Sequence, residues 1–429
     1  MAAARSALPA AVRGRIFFYL GVLIVLLSFG APSSGLIDIP ISFMLKNKLH
    51  LHAHEVATFR MWAALPLYLS FVFGFVRDMW NPLGMRDRGF ILLFGAVSTV
   101  TYLIFAFAPV NYATLLVAML LLASALLFIV SAQSGLGCML GQQHAMSGQM
   151  STIWNIVGAL PGIAALLAGG SLSNMLEHDD ADRAVRTLFL CGAAIMALVT
   201  VYAFWKPASV FGNLRIESGN SHPLADLRRL VLHRPVYPAL LIWMLWNFAP
   251  GSSTPLQYFI QNTLHGSDGH WGQWNAIFAA AFIPTFALFG VLCRIVPLRK
   301  LLWWGTIVAV PQMVPLLFIH SVQGAMIAAV PMGLLGGVAT AAYLDLIIRS
   351  SPPGLQGTTL MLATSLNAIA VRFGDVLGTN LYDHQGGFFA CVVAITVVYA
   401  LILPTLLLVP KDLVATADGQ APLPATAPA

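Results

Sequence analysis

Apolar stretches of about 20 residues or more recur along the whole chain, and that recurrence leaves few ways to fold. A stretch of this length can cross the hydrocarbon core of a bilayer, where each backbone N–H and C=O must find its partner inside the protein, which favours helix. Twelve such stretches are present: 16–45, 56–76, 89–109, 112–138, 146–169, 187–205, 236–262, 272–293, 301–319, 322–347, 356–381 and 387–409. The sequence is 59% hydrophobic and 9% charged, against roughly 25% charged residues in a soluble domain. No soluble fold could bury so much apolar surface, so lipid must cover most of it. The formal net charge of +6 does not point to nucleic acid, because the lysines and arginines fall between the spans instead of forming one patch.

Two spans are interrupted in the same way. Residues 29–34 read F-G-A-P-S-S and residues 248–253 read F-A-P-G-S-S, each deep in an apolar run. Each follows an arginine at nearly the same distance, Arg15 before Pro32 and Arg234 before Pro250. A proline among small polar residues is costly there unless neighbouring helices or water satisfy the freed backbone groups. Meeting it twice implies two similarly built halves, and paired interrupted helices point to a transporter's binding site. Residues 206–235 form the longest polar connection and divide six spans from six. The expected organisation is a bundle over 15–205, a linker over 206–235 and a second bundle over 236–410. Residues 1–14 and 411–429, rich in Ala and Pro with little to bury, are expected to be disordered tails. Residues 16–29 resemble a signal-peptide core behind Arg13 and Arg15, but the apolar run continues to Leu45, which argues for a span and against cleavage.

With both termini on one face, sixteen basic residues fall on that face, among them Arg77, Arg86, Arg88, Arg294 and Arg349. Five fall on the other: Lys46, Lys48, Arg60, Arg183 and Arg186. The bias predicts cytoplasmic termini in an inner or plasma membrane, and an odd number of spans would destroy it. Cys138, Cys191, Cys293 and Cys391 are far apart and form no CxxC, so neither a disulfide framework nor a zinc site is expected. His50, His52, His54 and Glu55 have the residue types of metal ligands but fall in a short loop beside Lys46 and Lys48, and a surface loop is the expectation. There is no P-loop and no catalytic constellation in a soluble segment, so neither an ATP-driven pump nor an enzyme is expected, and no cofactor.

The connection between the second and third spans carries Gly74, Asp78, Gly84, Arg86 and Arg88, and the one between the eighth and ninth carries Gly290, Arg294, Pro297 and Arg299. The first set resembles the loop motif of the major facilitator superfamily, whose two halves are related by an axis along the membrane normal. Within it the chain is most similar to the folate–biopterin transporter group, at four places. These are Phe43 to Leu51, Ala64 to Leu69 with the motif that follows, Ala249 to Phe259, and Pro352 to Thr358 with Ser365 and Asn367 beyond. That group usually has acidic residues around the end of its fourth helix; here Val130 to Gln149 has none. The resemblance implies an all-α membrane protein of twelve transmembrane helices in two pseudo-symmetric six-helix bundles. It also implies that spans 1, 2, 7, 8, 10 and 11 line a central cavity while 3, 6, 9 and 12 face lipid, and the latter four contain no interior charge.

Charges inside a membrane are functional candidates by default. Arg372 and Asp375, three apart in span 11, share a helical face and could pair. The pair could lock helix packing, or Arg372 could bind an anionic solute while Asp375 holds it between cycles. Asp38 in span 1 is the first candidate for a proton site, with Asp375 beside it, although Asp38 could instead simply pair with Arg60 of span 2. Asp78, Arg86 and Arg88 would form a gate, the bland alternative being an anchor and turn around Pro82 and Gly84. Asp345 and Arg349 read as an ordinary helical pair. Trp154, Asn155, Asn247, Gln257, Tyr258 and Asn367 could line the cavity; each alone suits interhelical bonding, and together they suit a planar polar ligand.

The expected function is secondary active transport of a small polar or anionic organic solute by a monomer in the lipid bilayer, with proton symport as the preferred coupling. A transporter-shaped receptor or assembly factor without flux, and efflux by proton antiport, remain alternatives.

Overall fold

The computed structural model describes residues 8–33, 35–176, 180–212 and 223–420, and the described chain is helical throughout. The N-terminal half holds α1 (Ala10–Gly30), α2 (Gly35–Asn47), α3 (Ala53–Ala63), α4 (Leu65–Tyr68), α5 (Ser70–Met79), α6 (Asp87–Ala106), α7 (Tyr112–Gln143), α8 (Ser147–Leu176) and α9 (Ala181–Tyr202). The connection carries α10 (Ala208–Phe211) and α11 (Pro223–Leu232). The C-terminal half holds α12 (Val236–Asn247), α13 (Thr254–Tyr258), α14 (Asp268–Leu292), α15 (Leu298–Ala309), α16 (Val322–Ser350), α17 (Gln356–His384), α18 (Gly387–Thr405) and α19 (Lys411–Val414).

Among the described residues nine helices are long and apolar enough to cross a membrane. The second and seventh expected spans are traversed in pieces, α3–α5 and α12–α13, and the fifth by α8. Both proline motifs break their helices. After α1 the backbone turns extended at Ala31 and resumes as α2. After α12 it leaves the helix at Phe248, and Gly251 takes φ 106, a left-handed conformation that favours glycine. A Cβ on Gly251 would also meet the Cys391 Cβ at 2.5 Å. The backbone freed by Pro250 is therefore accommodated by packing against α17 and α18.

Helices α6 and α9 pack against each other and α6 against α7, while α15 packs on α16 and α18. Helices α6, α9 and α15 are spans 3, 6 and 9, and they pack on helices of their own bundles. One apolar core lies wholly within the N-terminal bundle, around Leu23, Phe90, Tyr102 and Phe189. The other fills the C-terminal bundle and continues across into Leu136, Leu140, Met146 and Met150 of the first. The bundles are thus fused at the end that bears the basic loops. Small residues allow the close approach, as helix contacts within lipid require: Gly148 lies against Cys293, and Gly290 against Thr152.

Candidate functional site

The seam between the bundles is bonded through its basic half. Ser70 of α5 donates to the Met361 carbonyl (2.9 Å) and shares a hydrogen bond with Ser365 of α17 (2.8 Å), which also accepts from the Phe71 N–H. One turn closer to the basic face, a Cβ on Gly74 would lie 2.5 Å from the Gly357 carbonyl oxygen, so only glycine fits the crossing. One turn further, the Asp78 carboxylate accepts from the Gly357 N–H (3.2 Å), the Thr358 N–H (2.6 Å) and the Thr358 hydroxyl (2.6 Å). The first N–H groups of a helix have no partner within it and carry partial positive charge. Asp78 therefore caps α17 from the opposite bundle. Arg77 holds Asp78 in place at 2.6 Å and also pairs with Asp87. The Asp78 side chain is 0% exposed, so the ion pair is desolvated.

A second set of bonds joins α7 and α8 to α16. The Gln142 amide donates to the carbonyls of Ile348 and Ser351, both at 2.7 Å, and its oxygen accepts from Gln356. Ser151 donates to the Ala341 carbonyl at 2.7 Å. Asp345 and Arg349 form the expected helical pair, but Arg349 reaches further, to the Ser147 hydroxyl (3.0 Å), the Thr416 carbonyl (2.8 Å) and Asp418 (3.0 Å). Asp418 accepts from the N–H groups of Gly148 and Gln149 at the start of α8, while its own N–H donates to the Cys293 carbonyl. Residues 411–420, expected to be a disordered tail, instead include α19 and a buried strap of Val414, Ala417 and Asp418. The expectation failed because it weighed only apolar content; the strap is held by backbone and carboxylate bonds. Residues 421–429 lie outside the described residues. Burial and the nearby Asp345 push the Asp418 carboxyl up to about 6, against the pull of Arg349.

The gate triad divides. Asp78 crosses the seam as described. Arg86 enters through its backbone, donating to Asn81 in the tight turn with φ 51, and Arg88 donates to the Ala203 carbonyl at the end of α9 in its own bundle. Arg77, a residue the sequence reading counted only as a loop charge, is the arginine that orients Asp78.

The opposite half of the seam is open. Arg372 follows Ser365 by two helical turns, so it projects from the same face of α17, above the bonded seam and between the bundles. It is exposed, and among the described residues no acid pairs with it. The expected pairing with Asp375 is not made: the Asp375 carboxylate turns to the broken seventh span and accepts from the Thr254 N–H and hydroxyl, both at 2.9 Å. Three-residue spacing allows the pair but does not require it, and Thr254 at the start of α13 offers Asp375 two donors instead. Asp38 does pair with Arg60, at 3.3 Å, and Arg60 also donates to the Ser42 hydroxyl at 2.6 Å. The Asp38 and Arg60 side chains are 36% and 50% exposed.

The polar candidates are not gathered into one ring. Asn247 and Asn155 each donate back to a carbonyl one turn earlier, of Trp243 and Ser151. Gln257 and Asn367 are half-buried, and Tyr258 is exposed with its ring toward Tyr382. Trp154 packs on Gly137, and its indole Nε1 is buried without a hydrogen-bond partner. Glu55 accepts from the His52 N–H and closes a capping box at the start of α3, which gives that loop a structural use.

Two broken spans, two six-helix bundles and an interhelical cleft closed at one end define a secondary transporter. The chain matches the Major Facilitator Superfamily over residues 143–374 and belongs to that family. It is 24% identical over 394 residues to a folate-biopterin transporter of Synechocystis sp., covering 86% of this chain and 74% of the relative. Its fold is similar to that of FucP in the outward conformation, with TM-score 0.70, 15% identity, and 91% and 97% of the two chains covered. It is also similar to the proton:xylose symporter XylE, with TM-score 0.66, 12% identity, and 95% and 98% covered. The protein is a multi-pass integral membrane transporter that acts on a small molecule.

Proposed function

We propose that the protein moves a small polar or anionic organic solute by alternating access, in symport with protons. The observation that carries this reading is Arg372, an exposed guanidinium that pairs with no acid among the described residues, on the same face of α17 as Ser365 and two turns above the bonded seam. A guanidinium there presents a planar fork to a carboxylate or similar anion. Asn155 and Asn247 are tied to their own helices and Trp154 is packed against Gly137, which leaves Gln257, Tyr258 and Asn367 to offer amide and aromatic surface to a planar ligand. Asp38, half-exposed beside Arg60, is the proton site, and Asp375 a second. With cytoplasmic termini the open half faces outward, and Asp78 of α5, capping α17, forms the inner gate.

Uptake into proteoliposomes, with folates, pterins and organic acids as candidate solutes, tests this with and without an imposed pH gradient. Arg372→Ala should weaken solute binding by roughly ten- to a hundredfold, the loss of one charged hydrogen-bonding group of about 1.5–3 kcal/mol, with unchanged thermal stability. Normal binding by that variant would remove Arg372 from the site, and gradient-independent uptake would remove the protons.

A further inference from the structure

A groove of about 460 Å³ opens at the basic end, away from the transport cleft. Its apolar floor is formed by Gly14 and Phe17 of α1, Ile153 of α8 and Gly290 of α14, and its rim carries Arg13 and Arg294. Helices α1 and α8 belong to one bundle and α14 to the other, so the groove straddles the seam. Arg13 lies one turn before Phe17, near the start of α1, and Arg294 one turn after Gly290, just past the end of α14. Both guanidiniums therefore stand at the level where a span meets lipid headgroups, with the apolar floor one turn deeper. Arg13 is half-buried and Arg294 exposed, and among the described residues no acid pairs with either.

We propose that this groove binds an anionic phospholipid, its phosphate between Arg13 and Arg294 and an acyl chain along Phe17, Ile153 and Gly290. Guanidinium matches phosphate geometry by paired N–H donors, and basic pockets between spans hold anionic headgroups. A soluble anion would leave the apolar floor wet. The zwitterionic choline headgroup would bring its own cation to the two arginines. The floor exists where α8 meets α14: a Cβ on Gly290 would lie 2.8 Å from Thr152 across the seam. Opening the basic end would part these walls. A lipid that binds only the assembled groove stabilises the closed basic end, and that end in turn raises affinity for the lipid.

The test is native mass spectrometry of the full-length protein titrated with phosphatidylglycerol or phosphatidylcholine. Phosphatidylglycerol should be retained preferentially. Each of Arg13→Gln and Arg294→Gln should reduce that preference roughly fivefold, the equivalent of about 1 kcal/mol for a basic residue at an anionic surface. Arg15→Gln, on the same helix but outside the groove, should change it little. Equal retention of the two lipids, or an unchanged preference in the Arg13→Gln/Arg294→Gln variant, would overturn the proposal. So would an equal loss in Arg15→Gln, which would mean diffuse surface charge, or displacement of the lipid by inorganic phosphate, which would mean a soluble-anion site. Arg294 is exposed, so its single variant folds and reports even if the double does not.

Discussion

The two halves of the seam use charge in opposite ways. At the basic end Asp78 and Asp418 are buried, and each carboxylate is met by backbone N–H groups at a helix start and by an arginine. At the open end Asp38 and Arg60 form a partly exposed pair, and among the described residues no acid pairs with Arg372. Buried networks of this kind are costly to break once formed, because removing one partner strands the others away from water. Exposed pairs contribute little and can exchange partners freely. The closed end is thus built to hold a conformation, while the charges of the open end stay free to change partners.

The comparison is most exposed to failure at Asp78. Asp78→Ala would leave the Gly357 and Thr358 N–H groups and the Thr358 hydroxyl without their partner and Arg77 with one acid fewer. The expected effect is about 3–5 kcal/mol against the closed basic end. Cys138, buried in this seam with its thiol toward the Ile348 carbonyl, is a native reporter: its maleimide labelling should rise steeply relative to the unsubstituted protein. No rise would show that the bonds do not hold the seam.

A smaller effect is expected at the strap. Asp418 faces Asp345 and Arg349 from α16, Cys293 from the end of α14, and the N–H groups of α8. Burial raises its pKa to about 6 when docked, with Asp345 adding to the rise. A group whose docked pKa exceeds its free value, about 3.9 for Asp, binds protons better when docked. Its contribution to docking is therefore full below the free value and lost as pH rises through about 6. Labelling of Cys293, corrected for the thiolate fraction at each pH, should fall as pH is lowered from about 7 to about 5. Asp418→Asn should abolish that dependence, and an identical pH response in the variant would place the titration elsewhere.

Smallest of all is the open-end pair. Arg60→Ala should change thermal stability by less than about 1 kcal/mol. A loss of several kcal/mol would place the Asp38–Arg60 pair with the locked charges and erase the distinction between the halves.

Much of this was legible along the chain. The proline motifs at 29–34 and 248–253 mark the helix breaks because a missing N–H and a glycine at φ 106 are local requirements. Asp78 stood out through its motif, and its partner segment, Pro352 to Thr358, stood out through another, but nothing in either showed that they meet. Asp375 was misjudged because three-residue spacing describes one helix, whereas the choice between Arg372 and Thr254 depends on which neighbour lies alongside. Asp418 carried no signal at all: an acid in an Ala- and Pro-rich tail looks solvated until Gly148, Gln149 and Arg349 converge on it.

The sequence by itself determined that this chain lives in lipid, crosses it as helices, and divides into two halves with matched interruptions. Those properties follow from span length, backbone self-satisfaction and proline, all of which act within one segment. Tertiary structure alone decided which charges are locked and which are free, because that depends on donors brought together from segments far apart in the chain. Gly357 and Thr358 reach Asp78 only when two bundles close, and Asp375 bonds to Thr254 of another helix while Arg372, three residues away, stays exposed.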